Sequence, residues 1–71
     1  MSEVLMFDFM DPAVDDRIRA ILKAADSRGQ LGHIASTVGI AGGSEALRTI
    51  MNSTGELHEM DRAMIGMHLL R

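Results

Sequence analysis

The residues of this chain best suited to recognition chemistry cluster within one short stretch: Glu45, Arg48, Thr49 and Asn52. At helical spacing they share a face. Their types are those that read base edges: Arg to guanine, Asn to adenine, Glu to cytosine, Thr to the thymine methyl. The same four would equally serve as the solvated side of an ordinary helix. Gly42-Gly43-Ser44 precedes them and could offer backbone amides to a phosphate. The nucleotide-binding spacing and its Lys are absent, so the plainer account is a glycine turn that lets two helices cross. His33, His58 and His68 fall on different predicted helices without paired spacing, so no metal is expected. Asp8, Asp11, Asp15 and Asp16 are acidic neighbours, better explained by a helix start than by a catalytic pair. Ser, His and Asp are present, but nothing in their spacing brings them together as a triad. No enzyme activity and no cofactor are expected.

These residues need a scaffold, and composition bounds it. The chain has 71 residues, enough for one domain with a small core, which dimerisation would help to stabilise. It has no Cys, hence no disulfide or thiolate metal site, and a cytoplasmic location is the expectation. No stretch is long and apolar enough to suggest a membrane span, and no basic signal-peptide start is seen. Only Phe7 and Phe9 are aromatic, and seven Met supply adaptable apolar bulk. A net charge of −3 weighs against non-specific nucleic-acid binding, which needs basic surface.

Residues 1–10 form a separate arm or short strand, with Leu5, Phe7 and Phe9 alternating onto one face if extended. The domain proper is expected over residues 11–71 and is all-α. Asp11-Pro12 opens a first helix at about 12–27, with Val14, Ile18, Ile21, Leu22 and Ala25 at helical spacing and Gly29 closing it. Asp15 and Arg19 are expected to pair across one turn. A second helix covers Gln30 to Val38, with Gly32 its weak point. Ile34 and Val38 share a face, Gly39 ends the helix in a left-handed conformation, and Ile40 anchors the turn. Ser44 is expected to cap a third helix running to about Asn52, with Leu47, Ile50, Met51 and Thr54 inward. A loop at Ser53-Thr54-Gly55 leads to a fourth helix from about His58 to Leu70. Leu57, Met60, Met64 and Met67 are predicted to face inward, leaving a surplus apolar face suited to a subunit interface.

From Ile34 to Ile65 the chain resembles the lambda-repressor and Cro-like helix-turn-helix family of small phage and bacterial regulators. The residues that carry the resemblance are Ile34-Ala35-x-x-Val38-Gly39-Ile40 and, later, Met51-Asn52, Leu57, Met60 and Ala63-Met64-Ile65. They span somewhat under half the chain. Three departures stand out. The positions five and eight residues after the turn anchor, buried in the family, are Glu45 and Arg48 here. Counting seven and ten instead gives Leu47 and Ile50, so a two-residue insertion around Gly42-Gly43 is inferred. The Gln that often opens the family's second helix is replaced by Leu31, with Gln30 one place early. The family's fifth helix has no room, so residues 1–10 or the fourth helix would supply dimer contacts.

The resemblance implies a transcriptional repressor that binds a double-stranded DNA operator as a homodimer. Glu45, Arg48, Thr49 and Asn52 would approach bases, while Ser44, Gln30 and Arg28 would touch phosphates. Leu5, Phe7, Phe9, Met64, Met67 and Leu70 would form the dimer interface. The alternative is a small acidic protein-binding module, inhibitor-like or antitoxin-like, that docks through Met-rich helices. A ribbon-helix-helix dimer built on Val4 to Phe9 is disfavoured by the Gly39–Gly43 break.

Overall fold

The computed structural model describes residues 11–70. The expected arm or strand over residues 1–10, with Leu5, Phe7 and Phe9, lies outside the described residues, as does Arg71. Four helices follow in order: α1 Val14–Ser27, α2 Leu31–Val38, α3 Gly43–Asn52 and α4 Glu59–Leu69. No strand occurs among the described residues. The third helix packs against both α1 and α2, and α4 packs against α1 and, more lightly, against α2.

The first helix starts two residues later than its sequence pattern suggests. Asp11 and Pro12 form a turn in which the Asp11 carboxylate accepts the Ala13 amide at 3.0 Å and the Asp11 carbonyl accepts that of Val14 at 3.0 Å. The rigid φ of Pro12 suits this approach to the helix. Val14, Ile18, Leu22 and Ala25 then bury one stripe of the helix. They meet Leu31, Ala35 and Val38 from α2, Leu47 and Met51 from α3, and Leu57, Ile65 and Leu70 from the last segment. Burying each large aliphatic side chain contributes about 1.5–3 kcal/mol.

The second helix ends as its sequence implies. Gly39 has φ 84° and ψ 31°, a left-handed conformation that costs a residue with a Cβ. The Gly39 and Ile40 amides both donate to the Ala35 carbonyl, at 2.9 and 3.0 Å. Ile40 is half-buried against the core. Gly42 occupies the cap position of α3 at φ 95°, and a Cβ there would stand 3.2 Å from that of Ala46. This corrects the expectation for Ser44, which lies inside the helix and makes no side-chain cap. The extra glycine backbone sets the phase of α3: Leu47 is fully buried and Met51 nearly so, with Ile50 half-buried beside them. Thr54, expected inward, is exposed beyond the helix end.

The fourth helix departs most from expectation. Leu57 before it is buried, and His58 caps it by accepting the Met60 amide on Nδ1 at 3.2 Å. Met60 and Met67, expected inside, are 63% and 55% exposed, and Met64 is half-buried. Arg62, Ile65 and Gly66 face inward instead. The cause is Asp15. It is buried on α1 and pairs with Arg62, not with Arg19: Nε donates to Oδ1 at 2.8 Å. The Leu57 amide donates to the other carboxylate oxygen at 3.0 Å, and Arg62 Nη2 donates to the Leu57 carbonyl at 3.0 Å. Both oxygens of the Asp15 carboxylate thus accept a hydrogen bond that clamps α1 to the start of α4. The hydrogen bond to Asp15 raises the Arg62 guanidinium above its ordinary value; burial opposes this, while the Asp15 and Glu56 charges reinforce it.

The weak point expected at Gly32 offers a test. It lies exposed in α2, and a Cβ there would meet only Ser44 Oγ at 3.5 Å, an ordinary contact. Gly32→Ala is therefore expected to stabilise the fold by about 0.5–1 kcal/mol, read as a rise in the urea midpoint. A fall would mean that α2 and the start of α3 are already in tight contact at this place.

Candidate functional site

The amphipathic division of α3 leaves one polar side available. Leu47 and Met51 anchor the helix, and Glu45, Arg48, Thr49 and Asn52 are all exposed. Ten residues make a rod about 15 Å long. Arg48 lies over the surface between two acids: Nη2 is 3.4 Å from Asp26 Oδ1 on α1, and Nη1 is 3.4 Å from Glu45 Oε2. Both pairs are long and solvent-exposed, of the kind worth under about 1 kcal/mol, so Arg48 can leave them for a ligand at small cost. The Thr49 hydroxyl donates back to the Glu45 carbonyl at 3.1 Å. That bond commits its proton locally.

The other residues expected at the site come from the α1–α2 turn and the first turn of α3. Arg28 and Gln30 are exposed in the α1–α2 turn, a few residues beyond Asp26. Ser44 is half-buried, and its hydroxyl stands beside Gly32 in the first turn of α2. Among the proposed interface residues, Met67 is exposed and Met64 half-buried, whereas Leu70 is buried in the chain's own core. Leu70 therefore supports α4 from within.

At the Asn52 end, the surface opens into a cleft of about 610 Å³ between α1 and the α3–α4 loop. Sequence reasoning missed it, because its residues are far apart in the chain. Arg19 crosses to the loop, donating from Nη2 to Ser53 Oγ at 3.2 Å and to the Gly55 carbonyl at 2.6 Å. The expected Asp15–Arg19 pair is replaced by a longer contact to Asp16 at 3.7 Å. Lys23 and Thr54 line the same cleft. The available signal was the 19/23 spacing of two cations on one face of α1, together with a Ser-Thr-Gly loop.

A second, more apolar groove of about 460 Å³ lies on the other side of α3, lined by Ile40, Ala46, Ile50 and Met64 with Thr49 and Asp61 at its polar edge. His33, His58 and His68 do not converge. No cluster of three or more metal-capable side chains occurs among the described residues. No helix among them is long and apolar enough to cross a membrane. A scan of protein-family models returns no match to this chain, and searches of curated proteins and of solved structures return none either. The described residues form a small all-α domain in which Glu45, Arg48, Thr49 and Asn52 are exposed on α3.

Proposed function

We propose that this protein is a sequence-specific DNA-binding regulator of the lambda-repressor and Cro-like helix-turn-helix type, acting on an operator as a homodimer. The observation that carries the reading is the division of α3: Leu47 and Met51 hold the helix, while Glu45, Arg48, Thr49 and Asn52 are exposed and the ion pairs of Arg48 are long. A rod of this length fits a major groove about 12 Å wide. Arg48 and Asn52 are one turn apart, so they would address neighbouring base pairs, Arg48 through a guanine edge and Asn52 through an adenine edge. Ser44, Gln30 and Arg28, near the start of α3, would contact flanking phosphates. The net charge of −3 fits a protein with weak non-specific affinity that relies on base contacts. Dimerisation would use exposed apolar surface on α4, Met60 and Met67 foremost. Two copies on one face of a duplex then predict half-sites about 34 Å apart or a multiple of it.

The test is fluorescence anisotropy with a selected duplex. Arg48→Ala is expected to weaken binding by about 1–3 kcal/mol and to relax preference at one base pair. Arg28→Ala should weaken all sequences alike and flatten the salt dependence. An unchanged site preference in Arg48→Ala contradicts the reading.

One observation favours a second reading, a small acidic module that binds a protein partner. Met60 and Met67 are large apolar side chains left in water, and Met64 leads from them into the groove beside Ile40 and Ile50. Met-rich surfaces adapt readily to partner shapes. On this reading Met67→Glu abolishes partner binding, and Arg48→Ala leaves it intact.

A further inference from the structure

The cleft between α1 and the α3–α4 loop has a charge balance unlike the rest of the molecule. Two cations, Arg19 and Lys23, line it, against one acid, Asp16. That leaves an excess of one positive charge in a chain whose net charge is −3. The Arg19 side chain is only 15% exposed, yet its close hydrogen bonds go to neutral oxygens, those of Ser53 and Gly55. Its one carboxylate neighbour, Asp16, is 3.7 Å away and 97% exposed, so water screens that pair. Arg19 Nε is buried and has no hydrogen-bond partner. Lys23 is exposed at the cleft, and no ion pair engages it among the described residues. A largely buried cation without a close counter-charge is costly, and an anion in the cleft would relieve that cost.

The neighbouring groups suit an oxyanion. The Thr54 hydroxyl and Asn52 amide line the cleft and can donate, whereas the Ser53 hydroxyl is already committed to the Ile50 carbonyl at 2.7 Å. The last turn of α3 also ends here, and its carbonyls disfavour an anion close to the helix axis. The favourable place is therefore on the α1 side, between Lys23 and Thr54. We propose that this cleft is a phosphate-binding site, with Lys23 and Arg19 supplying the charge and Thr54 and Asn52 the orienting donors. The phosphate is either a free monoester or one unit of a nucleic-acid backbone, and the same chemistry serves both. The site shares Asn52 with the proposed DNA-reading face of α3, but its cations, Arg19 and Lys23, lie on α1 and take no part in that face.

The test is an NMR titration of the full chain with inorganic phosphate, then with a mononucleotide, then with a short duplex DNA, at constant ionic strength against chloride. Saturable shifts are expected at the amides of residues 52–55 and at Arg19 Nε–H. Lys23→Gln should weaken phosphate binding about tenfold, and Lys23→Arg should restore it. Arg17→Gln, which removes the same charge elsewhere on α1, should have little effect. Lys23 makes no structural contact that the fold requires, so its variants remain interpretable where Arg19 variants would release the loop. If duplex displaces phosphate from these residues, the phosphate is a backbone unit. If phosphate or mononucleotide binds there and duplex does not, the ligand is a free phosphate, and the operator reading, which rests on the exposed face of α3, stands or falls by its own test. No saturable shift with any of the three, or equal shifts in wild type and Lys23→Gln, overturns the proposal.

Discussion

Asp15→Ala is expected to destabilise the fold by about 3–5 kcal/mol, a large part of the roughly 4–11 kcal/mol available to a domain of this size. The substitution does more than delete a contact. It leaves the Arg62 guanidinium buried without its carboxylate and the Leu57 amide without its acceptor. Unpaired buried groups of this kind carry the full desolvation cost. Arg62→Met should act in the same direction by stranding the Asp15 carboxylate, which keeps only the Leu57 amide. The double replacement Asp15→Leu with Arg62→Met should recover most of the loss, because an apolar pair needs no mutual compensation. Urea unfolding of Asp15→Leu, Arg62→Met and their double replacement closes the cycle. The pH dependence has a definite sign. The folded-state value of Arg62 is raised, so its contribution is fully present below the ordinary guanidinium value and is lost as pH rises from there through the raised one, in strong alkali. Between neutral and moderately alkaline pH, Arg62 titration is expected to leave stability unchanged. Near-additive single variants would mean that the two side chains do not act as a pair.

Leu47→Ala is expected to cost about 2–4 kcal/mol, whereas Glu45→Ala and Arg48→Ala should each stay within about 0.5 kcal/mol. Leu47 is fully buried where α3 meets α1 and α2, and truncation leaves a cavity that packed helices only partly close. Glu45 and Arg48 have only exposed, long ion pairs to lose. The contrast is sharp because the positions are neighbours in sequence. A one-residue slip in the phase of α3 would bring Arg48 toward the core and push Leu47 toward water. A large loss in Arg48→Ala with a small one in Leu47→Ala would refute the observed register.

The parts of the fold that were legible share a cause: local chemistry decided them. Gly39 ends α2 because Ile34, Ala35 and Val38 supply a helical stripe and glycine alone sits easily at φ 84°. The displaced core positions of α3 could be read because Glu45 and Arg48 are poor core residues and Leu47 and Ile50 good ones. The orientation of α4 was illegible for a complementary reason. Apolar residues occur all round this helix, so its period does not select an inward face. Arg62 looks like a surface residue until α1 places Asp15 opposite it, 47 positions away in sequence. That pairing turns α4 and leaves Met60 and Met67 in water. The Arg19 cleft was hidden in the same way, since its walls come from α1 and from a loop more than 30 residues later. At the site, the exposure of Glu45, Arg48, Thr49 and Asn52 followed from helical phase. The exposed Arg48–Asp26 contact depends on how α1 crosses α3, which no local pattern encodes.

On the proposed function, the exposed face of α3 reads base edges. The most direct measurement is selection of bound duplexes from a random DNA library by the purified protein at about 50 mM salt, where phosphate contacts are strong enough to retain weak complexes. Enrichment of a two-fold repeated sequence is expected, with a base preference that Arg48→Ala erases while the protein remains folded. Folded wild-type protein that enriches no sequence would contradict the proposed function.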